Sequence, residues 1–452
     1  MNIIIAGNGK VGSTLVRQLA AESHDLTLID FNKQLLERTV EQYDVMAVEG
    51  NCASMRILQD AGVMDADLLI AVTNADEVNL LCCLTAHGLN PNIHTIARIR
   101  DPEYAEQVYQ MRTLYNLSMT VNPERQAARE IERLLRLPGF LRRDSFAKGR
   151  AEIVELRIGS DSKLKDVSLI EMYRIVRCRV LVCTVLRSGE AIIPSGQFVL
   201  REGDRIFVTA PTSNLATLLK NLGLHTRRVR SCLIGGGGKV CFYLASALLR
   251  DGVSVRIIEQ DAKRCRDLAT ALPGATIVHG DCSDRSELEN QGLLSCDAFL
   301  SMTGVDEMNM IASLYATSRG VAQVITKLGR QGNTALADTL NLGSIICPRE
   351  LCSGDIVRYV RAMENQTGAA ISVHAIAEGK AEAVEFLVDE GTRNCGIPLK
   401  NLKLRSGVLL ATIARGTRVE IPGGDSVMQP GDIVVVVTTG HGALQSLNDI
   451  FE

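Results

Sequence analysis

The chain has no tryptophan, and aromatic residues occupy only 4% of its 452 positions. Single-stranded nucleic acid is gripped by stacking on such rings, so that partner class is set aside. The charge is also not one-sided: 49 Lys and Arg face 52 Asp and Glu, for a net −3. Dedicated nucleic-acid binders are strongly basic, so this points the same way. No run approaches the roughly 20 apolar residues that a membrane helix needs. The opening residues, MNIIIAGNGKVG, enter a strand at once, without the basic start and apolar core of a signal peptide. The 13 cysteines are odd in number and contain no CxxC pair, and the seven histidines keep no metal-ligand spacing with them. Free thiols in a reducing cytosol, and no metal site, are the expectation. What remains is an ordinary globular composition whose length calls for two to four domains.

A repeat organises that length. Gly7, Gly9, Lys10 and Val11 recur as Gly236, Gly238, Lys239 and Val240, and Asp30 recurs as Glu259. AVEGNCAS around Gly50 returns as IVHGDCSD around Gly280. TNADEVN, starting at Thr73, returns as TGVDEMN from Thr303, and Arg98 matches Lys327. The copy continues: AEIVE from Ala151 returns as AEAVE from Ala381, and EGD ending at Asp204 as PGD ending at Asp432. Each half is therefore a long domain followed by a short one.

Residues 3–6, 26–29, 68–72 and 95–99 read as strands buried on both faces, with helical periodicity over 11–20. This alternation predicts a parallel, doubly wound sheet with right-handed crossovers. In the short domain, 154–158, 179–185 and 205–209 read as strands, and 165–172 and 215–222 as helices. The fold class is thus α/β: two tandem Rossmann-like domains, each followed by a small α+β domain. The expected limits are 1–123, 143–227, 232–348 and 368–452. A helix starting near Pro123 joins the first pair. Ala127, Ile131, Leu134 and Leu135 share one face of it, and Arg125, Arg129, Arg133 and Arg136 another; that arginine row reads as a solvated or salt-bridged surface.

Gly7-Asn8-Gly9-Lys10-Val11-Gly12 is a GxGxxG set directly after an apolar strand and before a helix, the context that gives this motif meaning. The first glycine allows a tight turn, the second a close approach of backbone to pyrophosphate, and the third close helix–strand packing. The helix N-terminus offers unpaired N–H groups to phosphate. Asp30 ends the second strand, where a carboxylate accepts from ribose hydroxyls and repels a 2′-phosphate; NAD(H) is therefore preferred over NADP(H). Asn51, Thr73, Asn74 and Arg98 fall at the carboxyl ends of later strands, where such folds bind ligands. In the second half, Gly236, Gly237, Gly238, Lys239 and Val240 form the loop, Glu259 is the ribose carboxylate, and Asp281, Thr303 and Lys327 are the strand-end residues. Cys241 stands where the third glycine belongs.

A dehydrogenase needs a substrate domain and a proton relay facing the nicotinamide. Neither is legible, so an NAD-dependent oxidoreductase is kept only as the alternative, and no catalytic residue is assigned. With GNGKVG, Asp30, the EGN of Glu49–Asn51, TNADEVN, AEIVEL and their second-half counterparts in view, the whole chain resembles the RCK (regulator of potassium conductance) family in tandem form. The resemblance implies a nucleotide-sensing gating ring that catalyses no reaction. It implies NAD(H) as ligand, and ATP or ADP as further ones. It implies a homo-oligomer, a dimer or tetramer ring, peripheral on the cytoplasmic face of the inner membrane. There it would control a membrane-embedded potassium transporter of the Trk type. Cys241 departs from the family pattern and puts the second nucleotide site in doubt.

Overall fold

A computed structural model describes the chain except residues 23, 111–116, 225–227, 331–339, 341, 364–369, 440–443 and 445. The expected domain limits at Arg227 and Gly368 lie outside the described residues. The chain forms two compact units, one of Met1–Ala128 with Cys347–Val360, the other of Arg129–Ile346 with Arg361–Glu452.

In the first unit, six parallel strands form one sheet: β1 (Asn2–Ala6), β2 (Asp25–Asp30), β3 (Met46–Glu49), β4 (Leu68–Ala71), β5 (His94–Arg98) and β6 (Met119–Val121). Their order is β3-β2-β1-β4-β5-β6. It reverses between β2-β1 and β4, which opens a crevice at the carboxyl ends of β1 and β4. Between the strands run α1 (Lys10–Leu19), α2 (Lys33–Gln42), α3 (Met55–Asp60), α4 (Asp76–Leu89) and α5 (Pro102–Gln110). Ile3, Ile4, Ile5, Leu68, Leu69 and Ile70 are all buried, because helices cover both faces of the sheet. The helix α6 (Pro123–Arg136) then leads onward into the second unit.

The second unit carries a small antiparallel sheet: β7 (Arg142–Phe146), β8 (Ala151–Arg157), β9 (Leu181–Arg187), β10 (Glu190–Ile192) and β11 (Arg205–Pro211), with α7 (Leu169–Val176) and α8 (Thr212–Leu222). It then repeats the Rossmann pattern. Strands β12 (Ser231–Gly235), β13 (Ser254–Glu259), β14 (Thr276–His279), β15 (Ala298–Ser301), β16 (Gln323–Lys327) and β17 (Ser344–Ile346) are ordered β14-β13-β12-β15-β16-β17. Helices α9 (Lys239–Arg250), α10 (Ala262–Ala271), α11 (Arg285–Asn290) and α12 (Asp306–Ser318) connect them, and α13 (Pro348–Met363) follows. A second small sheet closes the chain: β18 (Ala370–Ile376), β19 (Ala381–Leu387), β20 (Val408–Arg415), β21 (Arg418–Glu420) and β22 (Ile433–Thr439).

The two small sheets share a core. Phe146, Ile153, Cys183 and Phe207 of the first pack with Ile376, Ala383, Ala411, Val435 and Val437 of the second. Thr209 and Thr412 hydroxyls meet at 2.9 Å across it, and the Ala147 N–H donates to Glu385 at 2.8 Å. Each chain thus pairs its own two small domains. The recurrent Gly-Asp block also acquires a reason. Asp204, 1% exposed, takes both arms of Arg187 at 2.8 and 2.6 Å, and Asp432 takes Arg415 at 2.7 Å twice. Each bidentate pair, its aspartate buried, pins the end of one strand (β9 or β20) to the turn that opens a neighbouring strand (β11 or β22).

Two local expectations shift. The helix anticipated over 165–172 begins only at Leu169, because Asp166 has φ +59° and Ser168 forms a capping box with Glu171. Strand β7 is absent from the sequence reading; its RRDSF carries too much charge to look like a buried strand, yet Arg143 and Asp144 are buried. Their partners explain this. Arg143 forks onto Glu152 at 2.8 and 3.0 Å, and Asp144 meets Arg142 at 2.8 Å and His374 at 3.2 Å. On α6, Arg133 meets Glu130 and Glu152, and Arg136 meets Glu132 and Asp251; Arg125 and Arg129 are exposed.

Burial pushes the Glu130 carboxyl up to about 7, with Arg133 opposing and Asp144 adding to the rise. A raised carboxyl favours the folded state below its unfolded value near 4.3, and the advantage is lost as pH climbs through the folded value. Stability should therefore fall by about 2–3 kcal/mol between roughly pH 4.5 and 7.5 through this group alone. Denaturant titrations of wild type and Glu130→Gln across that range check it: the variant should lose most of the slope, and parallel curves would refute the assignment.

Candidate nucleotide site

The crevice is built where β1 meets α1. Gly7 has φ +101°, and a Cβ there would come within 2.9 Å of the Thr73 backbone, so the loop runs tight against the end of β4. A Cβ on Gly12 would lie 1.9 Å from the Gly7 carbonyl oxygen, which fixes glycine at the first turn of α1. At Gly9 the case reverses: nothing lies within 4 Å of such a Cβ. Gly9 is the N-cap of α1, and no side chain caps the first turn. The opening N–H groups of α1 thus face open space, the arrangement that receives a phosphate.

Asp30 ends β2 and ties two loops together. One carboxylate oxygen accepts the Asn8 N–H at 2.6 Å and the other the Asn32 N–H at 2.9 Å. A carboxylate has about four acceptor positions, so capacity for ribose hydroxyls remains. Asn8 itself is 1% exposed: its amide donates to Thr39 at 2.8 Å, while its carbonyl oxygen has no protein partner. Lys10 is exposed at the helix start, whereas Val11 is buried, leaving only its backbone to face a ligand. Asn51 accepts from Ala53 N–H at 3.0 Å and shapes its own turn. Asn74 is engaged through its carbonyl, which accepts from Arg100. Arg98 does not extend freely: it pairs with Glu124 at 3.4 Å, and its Nε is buried without a partner.

Sequence reasoning missed the residue that locks the strand ends. Asn79, fully buried, accepts from the Thr73 N–H at 2.8 Å and hydroxyl at 2.7 Å, and donates to the Arg98 carbonyl at 2.8 Å. It joins the end of β4 to the end of β5. Asp76 helps from the same turn, accepting the N–H groups of Arg100 and Asp101 at 2.7 and 2.8 Å. Both belong to the repeated TNADEVN block, so the signal was present as repetition without a role. Asn79→Ala should cost about 2–4 kcal/mol, because it strands two or three buried polar groups at about 1–3 kcal/mol each. Thermal unfolding of this variant beside Thr73→Val checks it; a change within 0.5 kcal/mol (the scatter of about that size for neutral surface changes) would contradict it.

The second half repeats the lock. Thr303 donates to Asn309 at 2.8 and 2.7 Å, and Asn309 to the Lys327 carbonyl at 2.9 Å; Lys327 Nζ reaches the Met302 carbonyl at 3.0 Å. Glu259 accepts from Gly237 and Asp261 N–H at 2.7 and 2.8 Å, as Asp30 does in the first half. Gly236 has φ +99° against Thr303, and Gly238 has open space at its Cβ position. Lys239 is exposed, Val240 is buried, and Asp281 shapes its own turn by accepting from Ser283 N–H at 2.8 Å. The difference is Cys241, fully buried where Gly12 admits no Cβ. The second loop therefore holds its carbonyl differently from the first.

Among the described residues no helix is long and apolar enough to cross a membrane, and no group of His, Cys, Asp and Glu is placed to hold a metal. All thirteen cysteines are free.

Comparison with known proteins agrees with this layout. The TrkA-N domain model matches 3–118 and 232–348, and the TrkA-C domain model 153–223 and 383–451. The Trk system potassium uptake protein TrkA homolog of Archaeoglobus fulgidus is 32% identical over the full length of both chains. The Trk system potassium uptake protein TrkA of Haemophilus influenzae is 30% identical, covering all of this chain and 99% of its own. In structure, the GsuK RCK domain superposes with a TM-score of 0.62 at 18% identity, over 97% of this chain and 92% of that one. The GsuK channel bound to NAD gives 0.61 at 18% identity, over 97% and 76%. These relatives are transport-system proteins and not enzymes, so the oxidoreductase alternative falls. With both domain models matched twice in tandem and full-length relatives at about a third identity, the chain belongs to the TrkA family.

Proposed function

We propose that this chain is the nucleotide-sensing regulatory subunit of a potassium-uptake system. It binds NAD(H) in the first crevice, with ATP or ADP as further ligands. It acts as a homo-oligomeric ring, a dimer or tetramer, at the cytoplasmic face of the inner membrane, on a membrane-embedded potassium transporter of the Trk type. Its working domains are 1–123, 143–227, 232–348 and 368–452. The observation that carries the ligand reading is the uncapped start of α1 with free space over Gly9. The full-length relatives named as potassium uptake proteins support the transport reading.

The residues take distinct tasks. Backbone N–H groups of Gly9, Lys10 and Val11 receive pyrophosphate, Gly7 and Gly12 hold the loop close, and Asn8 and Asp30 set the ribose end. Thr73, Asn74 and Asn51 border the crevice. Arg98 meets the far phosphate or second ribose. Gly236, Gly237, Gly238, Lys239, Val240, Glu259, Asp281, Thr303 and Lys327 repeat these tasks. Regulation follows from Arg98. Its partner Glu124 sits on the first turn of α6, so an anion that draws Arg98 away alters the load on that helix. A ligand shifts an equilibrium only through such a difference between states.

Calorimetric titration with NADH tests the assignment. Asp30→Ala should weaken binding by about 1–3 kcal/mol, the loss of a charge-assisted pair, and Asp30→Asn, which keeps one acceptor oxygen, should weaken it less. Unchanged affinity in Asp30→Ala would remove Asp30 from the site.

A further inference from the structure

The first Rossmann sheet ends in an open strand. β3 pairs only with β2, in a register running from Thr27 with Met46 to Asp30 with Glu49. The Gly50 N–H donates to the Asp30 carbonyl at 3.0 Å. By the alternation along a strand, the N–H groups of Met46 and Val48 also turn toward β2, and those of Ala47 and Glu49 turn outward. Met46, Ala47 and Glu49 are exposed, and among the described residues no strand lies beside them.

Large apolar side chains gather at this edge. Phe31 directly follows β2 and is 69% exposed, and Met46 opens β3 at 66%. Met55 opens α3 at 58%. That helix lies against the carboxyl end of β3, where a Cβ on Gly50 would meet Ile57 at 2.6 Å. Val40, in the last turn of α2, is exposed as well. The second half repeats the frame, with β14 at its edge, but carries Gln260, Ala269, Thr276 and Arg285 at these four positions. The fold therefore does not require the apolar set. A cluster of exposed apolar side chains marks a contact surface, and methionine adapts to the shape laid on it.

The rim has a sign. Glu41, Asp44 and Glu49 are exposed before and on β3, and no lysine or arginine occurs between Arg38 and Arg56. The matching positions in the second half are Thr270, the turn at Pro273 and Gly274, and His279. The carboxylates next to β14 in sequence, Asp281 and Asp284, accept N–H groups of their own turns.

An open edge takes an extended segment through main-chain hydrogen bonds, and side-chain contacts beside it choose the segment. Apolar seats with an acidic rim choose one that is apolar and basic. Cytoplasmic loops of membrane proteins carry an excess of lysine and arginine.

We infer that the β3 edge is the face on which this chain takes up its membrane partner: an extended, basic and apolar segment of a cytoplasmic loop pairs along β3, over Phe31, Met46 and Met55. This rests on the reading that the chain acts on a membrane-embedded transporter. Asp30 immediately precedes Phe31, so partner and nucleotide would meet at the same strand end.

The test titrates the full-length chain onto a Trk-type transporter held in lipid nanodiscs, by biolayer interferometry. Ala47→Pro removes an outward donor, a change that edge strands tolerate. Met46→Ser with Met55→Ser removes two apolar seats. Each should weaken binding at least about tenfold, and added salt should weaken the wild type. Ile277→Pro, the same change on β14, should stay within about twofold of wild type. All variants should keep the wild-type NADH affinity and circular dichroism. If Ala47→Pro fails to fold, the double methionine variant decides alone. Wild-type binding by both β3 variants, or equal losses from Ala47→Pro and Ile277→Pro, would overturn the inference. So would a smaller oligomer of Ala47→Pro in light scattering, which would give the edge to a second copy of the chain. The parent reading fails separately: it falls, and this inference with it, if the wild-type chain does not bind the transporter.

Discussion

Gly9→Glu should abolish NADH binding while leaving the fold intact. Nothing lies within 4 Å of a Cβ placed at this position, so the substitution starts without a backbone or side-chain clash. Stability should stay within about 0.5 kcal/mol of wild type, the range of ordinary surface changes. The new carboxylate would occupy the space before the uncapped turn of α1, where the pyrophosphate is received, and add like charge to it. Affinity should fall by at least about a hundredfold, close to 2.7 kcal/mol. Calorimetry for binding and circular dichroism for folding read the two halves of this expectation. Retained affinity would move the site elsewhere; lost affinity with lost fold would mean that Gly9 is structural.

Gly12→Val should do the opposite: it should damage the fold first. The Gly12 Cβ position lies 1.9 Å from the Gly7 carbonyl oxygen, a contact that no rotamer relieves because both atoms are fixed by backbone. Gly7 is itself held by its N–H on the Ile29 carbonyl at 2.8 Å and by close approach to Thr73. Moving the loop therefore disturbs β1, β2 and β4 together. Overpacking commonly costs about 1–3 kcal/mol, and immovable backbone puts this case at about 3 kcal/mol or above. A β-branched residue in the first turn adds to it. Chemical denaturation of the full chain should show the first unit unfolding early. Gly12→Ala is the milder control and should fall between; if Ala is neutral, the loop is softer than the geometry states.

Much of this was legible in the sequence, for a physical reason. Strands such as Ile3–Ile4–Ile5 are buried on both faces, and that environment writes an unbroken apolar run. Backbone approaches that admit no Cβ write glycine, as at Gly7 and Gly12. Repetition doubled both signals and marked the blocks that matter. What escaped was polar and long-range. Asn79 looks like any helical polar residue until its three partners on two strand ends are seen. Strand β7 looks like a charged loop because Arg143 is satisfied by Glu152 and Asp144 by His374, both from other strands. The shared core of the two small sheets escaped too, since alternating apolar residues show that a face is covered but not by what.

Potassium flux through a Trk-type transporter, reconstituted in vesicles with this protein bound, tests the central claim most directly. Flux is measured with and without NADH, for wild type and for Gly9→Glu. NADH should change the flux with wild type and leave it unchanged with Gly9→Glu, while both proteins co-purify with the transporter equally. If both respond alike to NADH, the sensing site lies outside the first crevice; if neither does while wild type demonstrably binds NADH, the chain is a scaffold and not a sensor.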